Sequence, residues 1–195
     1  NTLDSIIWMI QSKKYEGAGK MVSMLAKFFR ISLSQGKDII PLQKELEHAV
    51  SYLSIQNVRF QDKFTFTVDW DEKLADCLCP KLMMQPLLEN AVYHGMEGMY
   101  EDGEIQLKIY AVNELVHIDV IDNGEGMTEA QVQKMMQGDV VSSKRGSGIG
   151  VKNVNDRIKL YFGEAYGVQI ISAPDEGTTA RIYFPMRRQE DETEK

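Results

Sequence analysis

Three short segments of the sequence combine polar side chains with glycines in patterns that could contact a ligand, and the first of them ends a predicted strand. Alternating apolar residues over Leu115–Asp122 place Asp122 on the core-facing side of that strand. A carboxylate there could accept a hydrogen bond from a ligand amino group, while Gly124 and Gly126 would let the backbone approach a flat ring. The same residues are also typical of a strand that ends in a tight turn. An EF-hand calcium loop is excluded, because its twelfth position would be Gln133 rather than glutamate.

The second segment is a glycine loop, Gly146-Ser147-Gly148-Ile149-Gly150, which precedes a helical pattern. Its backbone N–H groups, together with the N-terminus of the helix, would form a cradle for phosphate. A loop of this composition can also be a simple flexible connector. The spacing differs from the dinucleotide-binding G-x-G-x-x-G, and the sequence contains no G-x-x-x-x-G-K-[ST]. The sequence therefore excludes the Rossmann and P-loop nucleotide folds.

The third segment places Asn90 and His94 one helical turn apart, on the same face of a predicted helix. The carboxamide oxygen of asparagine is an acceptable Mg²⁺ ligand when ATP phosphates and water supply the remaining ligands. A purely structural interpretation is a helix C-terminus in which His94 lies near the last carbonyl groups and Gly95 is the cap.

Residues 1–60 are predicted to be helical, because apolar residues recur there at intervals of three and four. Breaks are predicted at 17–19 and at 36–41, where glycine and proline occur. Two or three helices with one apolar stripe each need a further surface to cover them. This segment is therefore expected to dimerise or to pack on the domain that follows.

The remainder of the chain is predicted to alternate between strands and helices, and residues 188–195 to form a charged tail. A helix is expected from Pro80 to about His94. The other predicted elements are strands at 64–68, 105–112, 115–122, 168–173 and 179–184, and helices at 129–136 and 150–161. This order predicts an α+β fold with a mixed or mostly antiparallel sheet and helices on one face.

The bulk properties of the chain exclude several classes of function. A net charge of -7 and an isoelectric point near 5.1 argue against non-specific binding to nucleic acid. Cys77 and Cys79 stand in a spacing that fits neither a zinc site nor a disulfide framework. The sequence has no apolar stretch approaching ~20 residues, the length that spans a bilayer. Asn1 already lies in an amphipathic pattern, so the native chain is expected to continue upstream.

Taken in order, the three segments resemble the N box, G1 box and G2 box of the GHKL ATPase superfamily. Tyr52–Phe60, Gln85–Ala91 and Asp122–Met127 are similar to segments of the LytS/YehU-type sensor histidine kinases, and the similarity covers nearly the whole chain. Asn1-Thr2-Leu3 resembles the end of that family's Pro-His-Phe-x-x-Asn-Thr-Leu motif. The resemblance implies that the histidine that accepts the phosphoryl group lies four residues before Asn1.

The resemblance further implies a Bergerat-type two-layer α/β sandwich at 61–187, preceded by a helical dimerisation segment at 1–60. ATP and Mg²⁺ are the expected cofactors, with Asp122 on the adenine amino group and Asn90 as the metal ligand. Glu89, Asn90 and His94 are the expected catalytic residues, and 128–145 the expected ATP lid. The other expected nucleotide contacts are Gly124, Gly126, Met127, Gly146, Gly148, Ile149, Gly150 and Thr178. Tyr93 stands where the family often has Lys or Arg.

Pro86 occupies the position at which gyrase, Hsp90 and MutL carry the glutamate that activates water, so hydrolysis by that route is excluded. The remaining chemistry is phosphoryl transfer to histidine and then to a response-regulator aspartate. The family implies a homodimeric, membrane-anchored parent with this part on the cytoplasmic face. His48, as a solvated helix residue, and His117, as an outward strand residue, are not expected to be the acceptor, nor is His94, which belongs to the N box. The alternatives are a non-catalytic GHKL nucleotide-binding or dimerisation module and an anti-sigma-type serine kinase.

Overall fold

The computed structural model describes residues 2–33, 36–60, 63–95, 102–139 and 149–188. Helices α1, Thr2–Gln11, and α2, Tyr15–Leu33, form a hairpin. The prediction of a break at 17–19 is wrong, because Gly17 and Gly19 lie within α2. The chain instead reverses at Lys13, whose φ of 60° is left-handed, and the Lys14 N–H group bonds back to the Met9 carbonyl at 2.8 Å. Glycine is tolerated within a helix at a cost of about 1 kcal/mol when packing supports the helix.

The predicted break at 36–41 is confirmed. Gly36 adopts a φ of 80°, and a short strand β1, Ile39–Pro41, precedes helix α3, Leu42–Arg59. Strand β1 pairs antiparallel with β3, Leu78–Pro80. Helix α3 belongs to the same hydrophobic core as the sheet, because Leu42, Leu46, Ala49, Tyr52 and Leu53 are buried in that core.

The main sheet consists of five strands: β2 Phe64–Trp70, β4 Gly103–Val112, β5 Leu115–Asp122, β6 Gly167–Ser172 and β7 Thr178–Pro185. They lie in the order β2, β4, β5, β7, β6. Strands β2 and β4 are parallel, and the other neighbours are antiparallel, as predicted for a mixed sheet. The β4–β5 turn has positive φ at both Asn113 and Glu114, which matches the right-handed twist of a two-residue hairpin.

Helices α5, Glu129–Gln137, and α6, Ile149–Phe162, cover one face of this sheet with α4, Gln85–Asn90. The predicted start of α4 at Pro80 is wrong. Pro80 pairs with Ile39 in the two-stranded sheet, and Lys81–Met84 form a loop before the helix begins. After Asn90 the chain continues as a single wider turn of π-helix, Ala91–Gly95, which packs on β4 and β5.

The opposite face of the sheet carries polar and aromatic side chains. Arg181 donates to both carboxylate oxygens of Asp119, at 2.8 and 2.7 Å, and the Tyr110 hydroxyl donates to the same carboxylate at 3.0 Å. The ring of His117 stacks between Tyr110 and Tyr183, on the outward face that strand parity predicts. Alternation along β5 therefore gives the correct face for each of its side chains.

The expectation that His48 is solvated is wrong, since this residue of α3 is fully buried. Its ring stacks on Phe28 of α2, with centroids 4.3 Å apart, and burial lowers the pKa of His48 to about 4. The Ser32 hydroxyl donates to the Phe28 carbonyl, so the His48 Nε2–H must donate to the Ser32 oxygen at 2.9 Å. Polar neighbours in the sequence suggested exposure, but α2 covers this side of α3.

Within the described ranges, no helix is both long enough and apolar enough to cross a lipid bilayer.

Candidate nucleotide-binding site

Asp122 ends β5 on the core side of the sheet and is 8% exposed. Its neighbour on β7 is Thr178, so two of the predicted nucleotide contacts lie side by side. Burial raises the pKa of Asp122 to about 6, while backbone N–H groups of Gly124 and Thr178 lower it. The Gly124 N–H group donates to one carboxylate oxygen at 3.0 Å. The carboxyl group is thus held in a fixed orientation, and burial disfavours its ionised form.

Gly126 and Gly177 interlock the loop after Asp122 with the turn between β6 and β7. Gly126 has a φ of 66°, and a Cβ there would lie 1.9 Å from the Ala173 carbonyl oxygen. Gly177 has a φ of 79°, and a Cβ there would lie 2.1 Å from the Asp122 carbonyl oxygen. Backbone packing between the two loops therefore requires both glycines. The sequence predicted that Gly126 lets the backbone approach a flat ligand ring. The contact with Ala173 explains a glycine at this position without such a ring.

Ser172, which sequence analysis missed, connects the predicted nucleotide contacts on these two loops. Its hydroxyl accepts from the Met127 N–H group at 2.8 Å and donates to the Gly177 carbonyl at 2.8 Å. A hydroxyl has one proton, so the 2.9 Å contact with the Thr178 hydroxyl must have Thr178 as the donor. The Thr178 oxygen then keeps its lone pairs as acceptors beside Asp122. Only the position of Ser172, at the end of β6 and just before the β6–β7 turn, could have suggested this role.

Glu89 and Asn90 are the last two residues of α4, and both are half-buried. The Gln85 side chain donates to Glu89 at 2.8 Å, which orients that carboxylate along the helix. Tyr93, where the family often has Lys or Arg, accepts from Arg59 of α3 at 2.7 Å. The wider turn after Asn90 alters the regular helical spacing assumed for His94, whose side chain lies outside the described residues.

The N-terminus of α6 packs against α4. A Cβ at Gly150 would lie 3.2 Å from the Pro86 side chain, closer than ordinary contact. Of the glycine loop, Ile149 and Gly150 open α6, while Gly146 and Gly148 lie outside the described residues. Of the expected lid, 128–139 are described and contain α5, whereas 140–145 lie outside the described residues. The fold thus brings the end of the glycine loop to the asparagine-bearing helix, across 60 residues of sequence.

The groups present suit a nucleotide accompanied by Mg²⁺ better than a metal held by the protein alone. Among the described residues, no group of three or more His, Cys, Asp or Glu side chains could hold a metal ion. One asparagine oxygen can complete a Mg²⁺ shell that phosphate and water otherwise fill. Asp122 provides a buried acceptor for an amino group.

Two family models match the chain in sequence. Residues 1–64 match a model described as histidine kinase. Residues 78–188 match a model described as histidine kinase-, DNA gyrase B- and HSP90-like ATPase. The second match covers more than half of the chain and contains each predicted nucleotide contact.

Curated relatives align over nearly the whole chain. Sensor histidine kinase YesM of Bacillus subtilis is 36% identical over 97% of this chain and 31% of its own length. Sensor protein LytS of Bacillus anthracis is 32% identical over 91% of this chain and 30% of its own length. The chain spans about a third of the length of these relatives.

Solved structures share the fold at low sequence identity. Histidine kinase AdeS of Acinetobacter baumannii superposes with a TM-score of 0.56 and 13% identity, over 94% of this chain and 85% of that one. The catalytic domain of histidine kinase ThkA gives a TM-score of 0.58 and 15% identity, over 76% of this chain and 96% of that one. The predicted two-layer sandwich is confirmed at the level of fold.

Proposed function

This chain belongs to the sensor histidine kinase family as its ATP-binding catalytic portion, and from that premise we propose that it transfers the γ-phosphoryl group of ATP to a histidine of its parent protein. The observation that carries the proposal is the pairing of Asp122 with Thr178 across β5 and β7, locked by the Ser172 hydroxyl. This arrangement offers a buried acceptor and an adjacent hydroxyl to the edge of a purine ring.

In the proposed complex, Asp122 accepts a hydrogen bond from the adenine amino group, and Thr178 contacts the same edge through water. Asn90 ligates the Mg²⁺ that accompanies the phosphates, and the glycine loop up to Gly150 lies along them. The close packing of Gly150 on the Pro86 side chain supports this assignment, because it holds the glycine loop next to the helix that carries the proposed Mg²⁺ ligand.

The proposed reaction is a direct in-line transfer. A nitrogen of the acceptor imidazole forms a bond to the γ-phosphorus while the bond from that phosphorus to the β-phosphate oxygen breaks, and ADP leaves. Positioning and Mg²⁺ electrostatics supply most of the acceleration in such transfers. Glu89, next to the Mg²⁺ ligand and oriented by Gln85, is the proposed base for the imidazole proton. The phosphoryl group then passes to a response-regulator aspartate.

The proposed acceptor precedes Asn1, as the resemblance of Asn1–Leu3 to the family motif predicts. His48 is unsuited to the role, because it is fully buried between α2 and α3. His117 is stacked between two tyrosine rings on the far face of the sheet. Neither ring offers a nitrogen that could reach a nucleotide bound beside Asp122.

Partners and location follow from the same proposal. Helix α1 exposes half or more of Leu3, Ile7, Trp8 and Ile10, an apolar surface suited to pairing with a second copy. We propose that the parent is a homodimer through this helical region, with a response regulator as its second partner. Anchoring at the cytoplasmic face of a membrane is proposed for the parent.

Two measurements test the function. Calorimetric titration with ADP should show binding that strengthens when Mg²⁺ is present. A chain extended upstream through the acceptor, incubated with γ-labelled ATP, should gain a label that is labile to acid and stable to base. An acid-stable label would identify a serine kinase, and intact binding without any label would identify a non-catalytic module.

A further inference from the structure

The loop Lys81–Met84, which leads into the asparagine-bearing helix α4, is held by a carboxylate from the helical segment. Glu45 of α3 is fully buried. One of its oxygens accepts from the Leu82 N–H group at 2.8 Å, and the other accepts from the Met84 N–H group at 3.0 Å. Buried charged groups are tolerated when they are fully hydrogen-bonded, and here the partners are backbone groups of a single loop.

Two further elements hold the same loop. Arg157 of α6 donates a hydrogen bond to the Lys81 carbonyl. The Lys81 N–H group donates to the Asp38 carbonyl at 3.0 Å, just before β1. The loop is therefore the point at which α3, the β1 region and the helix after the glycine loop all meet the start of α4.

Local sequence does not explain the conformation of this loop. Leu82 has a φ of 58°, a left-handed conformation that a leucine adopts only when its surroundings impose it. Met84, at the start of α4, provides no side-chain cap. Glu45, from another helix, instead accepts from the Met84 N–H group, one of the N-terminal donors that a helix leaves unpaired, and a carboxylate is favoured at the positive end of a helix.

We infer that Glu45 is a positioning residue for the part of the site that binds the phosphates and Mg²⁺. By fixing the start of α4, Glu45 places Asn90, the proposed Mg²⁺ ligand. Because Glu45 belongs to α3, the position of Asn90 then depends on the position of α3. This inference rests on the proposed function. Asn90 lies six residues beyond Met84 on a single short helix, so a shift at the start of α4 moves the ligand with it. Asp122 and Thr178, on β5 and β7, are held by separate contacts and are unaffected.

The test is Glu45→Gln. The amide of glutamine has only one acceptor oxygen, so its NH₂ group faces the N–H group of either Leu82 or Met84 and one of the two hydrogen bonds is lost. ADP affinity is measured with and without Mg²⁺. We expect the strengthening by Mg²⁺ to fall at least tenfold, while affinity in the absence of Mg²⁺ changes less than threefold. General destabilisation would not remove the Mg²⁺ effect alone. Glu47→Gln is the matched control, because Glu47 lies on the same helix but its carboxylate pairs with Lys27 and Lys44 rather than with the loop before α4.

A Glu45→Gln variant that keeps the full Mg²⁺ effect would overturn the inference. If Glu45→Gln shows no cooperative melting transition, Glu45→Asp is tested instead. This variant keeps the carboxylate but shortens the side chain by one methylene group. A folded Glu45→Asp variant is expected to lose part of the Mg²⁺ effect, and full retention would again overturn the inference. If the unaltered chain itself fails to bind ADP, the proposed function fails instead, so the two failures are distinguishable.

Discussion

Burial of the Asp122 carboxyl group destabilises its ionised form in the nucleotide-free protein, and the nucleotide amino group would stabilise that form. Asp122→Asn should therefore act in opposite directions on stability and on binding. The amide oxygen still accepts from the Gly124 N–H group, although the bond from the Thr178 N–H group is weakened. Because the buried charge is removed, the free energy of unfolding should still rise, by about 1 kcal/mol at neutral pH. ADP affinity should fall by about 100-fold or more, because the amide presents a donor to the adenine amino group.

Thermal melting and calorimetric titration measure these two effects. Asp175→Asn is the control, since Asp175 is exposed in the β6–β7 turn and its φ of 64° suits asparagine. That control should leave both quantities unchanged. Unaltered ADP affinity in Asp122→Asn would contradict the adenine assignment.

The raised pKa of Asp122 also predicts a pH dependence with a definite sign. A group whose pKa in the fold is about 6, above its ordinary value of 3.8, contributes stability below pH 3.8 that is lost as the pH rises through 6. The nucleotide binds the ionised form, so ADP affinity should weaken as the pH falls below 6. Urea unfolding between pH 4 and 7 should show the stability loss in the native chain, and the slope should be smaller in Asp122→Asn. Equal slopes in the two proteins would contradict the assignment of this pKa to Asp122.

At the scale of elements, the site depends on the close contact between the loop after β5 and the β6–β7 turn. Gly177→Ala combines a left-handed φ with a Cβ that meets the Asp122 backbone. Gly36→Ala is a matched control, because its φ of 80° is almost the same and no atom of the residues that the structure describes lies within 4 Å of the added Cβ. The control should lose about 1–2 kcal/mol of stability through its φ alone. Gly177→Ala should lose clearly more and should bind ADP more weakly.

Chemical denaturation of the two alanine variants measures the difference directly. Equal losses would mean that the turn moves away from Asp122 at little cost, and the interlocked geometry would not define the site.

At the scale of the whole molecule, α1 exposes more large apolar side chains than it buries. Its Ile6 and Met9 side chains pack inward, while Ile7 and Ile10 remain half exposed. If this surface pairs two copies, Ile7→Lys combined with Ile10→Lys should weaken self-association at least tenfold, measured by sedimentation equilibrium. Nucleotide affinity should not change, because α1 packs on α2 and α3 rather than at the β5–β7 site. Gln11→Lys, an exposed position on the same helix, is the control. A native chain that stays monomeric at every concentration would contradict pairing through this face.

The order of the five main-sheet strands and of the helices between them, and the face on which Asp122 lies, were determined by the sequence. The sequence also predicted the three candidate nucleotide-binding segments, but it did not predict the short strands β1 and β3. Each of these predictions depends on local periodicity or on short-range residue spacing, which a chain carries with it wherever it folds. The Asn113–Glu114 hairpin and the turn at Pro174–Gly177 follow for the same reason, since turn residues act within a few positions.

Only the tertiary structure decided how residues far apart in the chain meet. His48 and Glu45 have polar neighbours in sequence but are buried, because α2 and the Lys81–Met84 loop pack on α3. Pro80 ends a strand rather than opening a helix because Ile39, some 40 residues away, pairs with it. Ser172 gains its role from Met127 and Thr178, and Gly126 from the Ala173 carbonyl. Contacts of this kind form only when the chain is folded, so local residue patterns do not encode them.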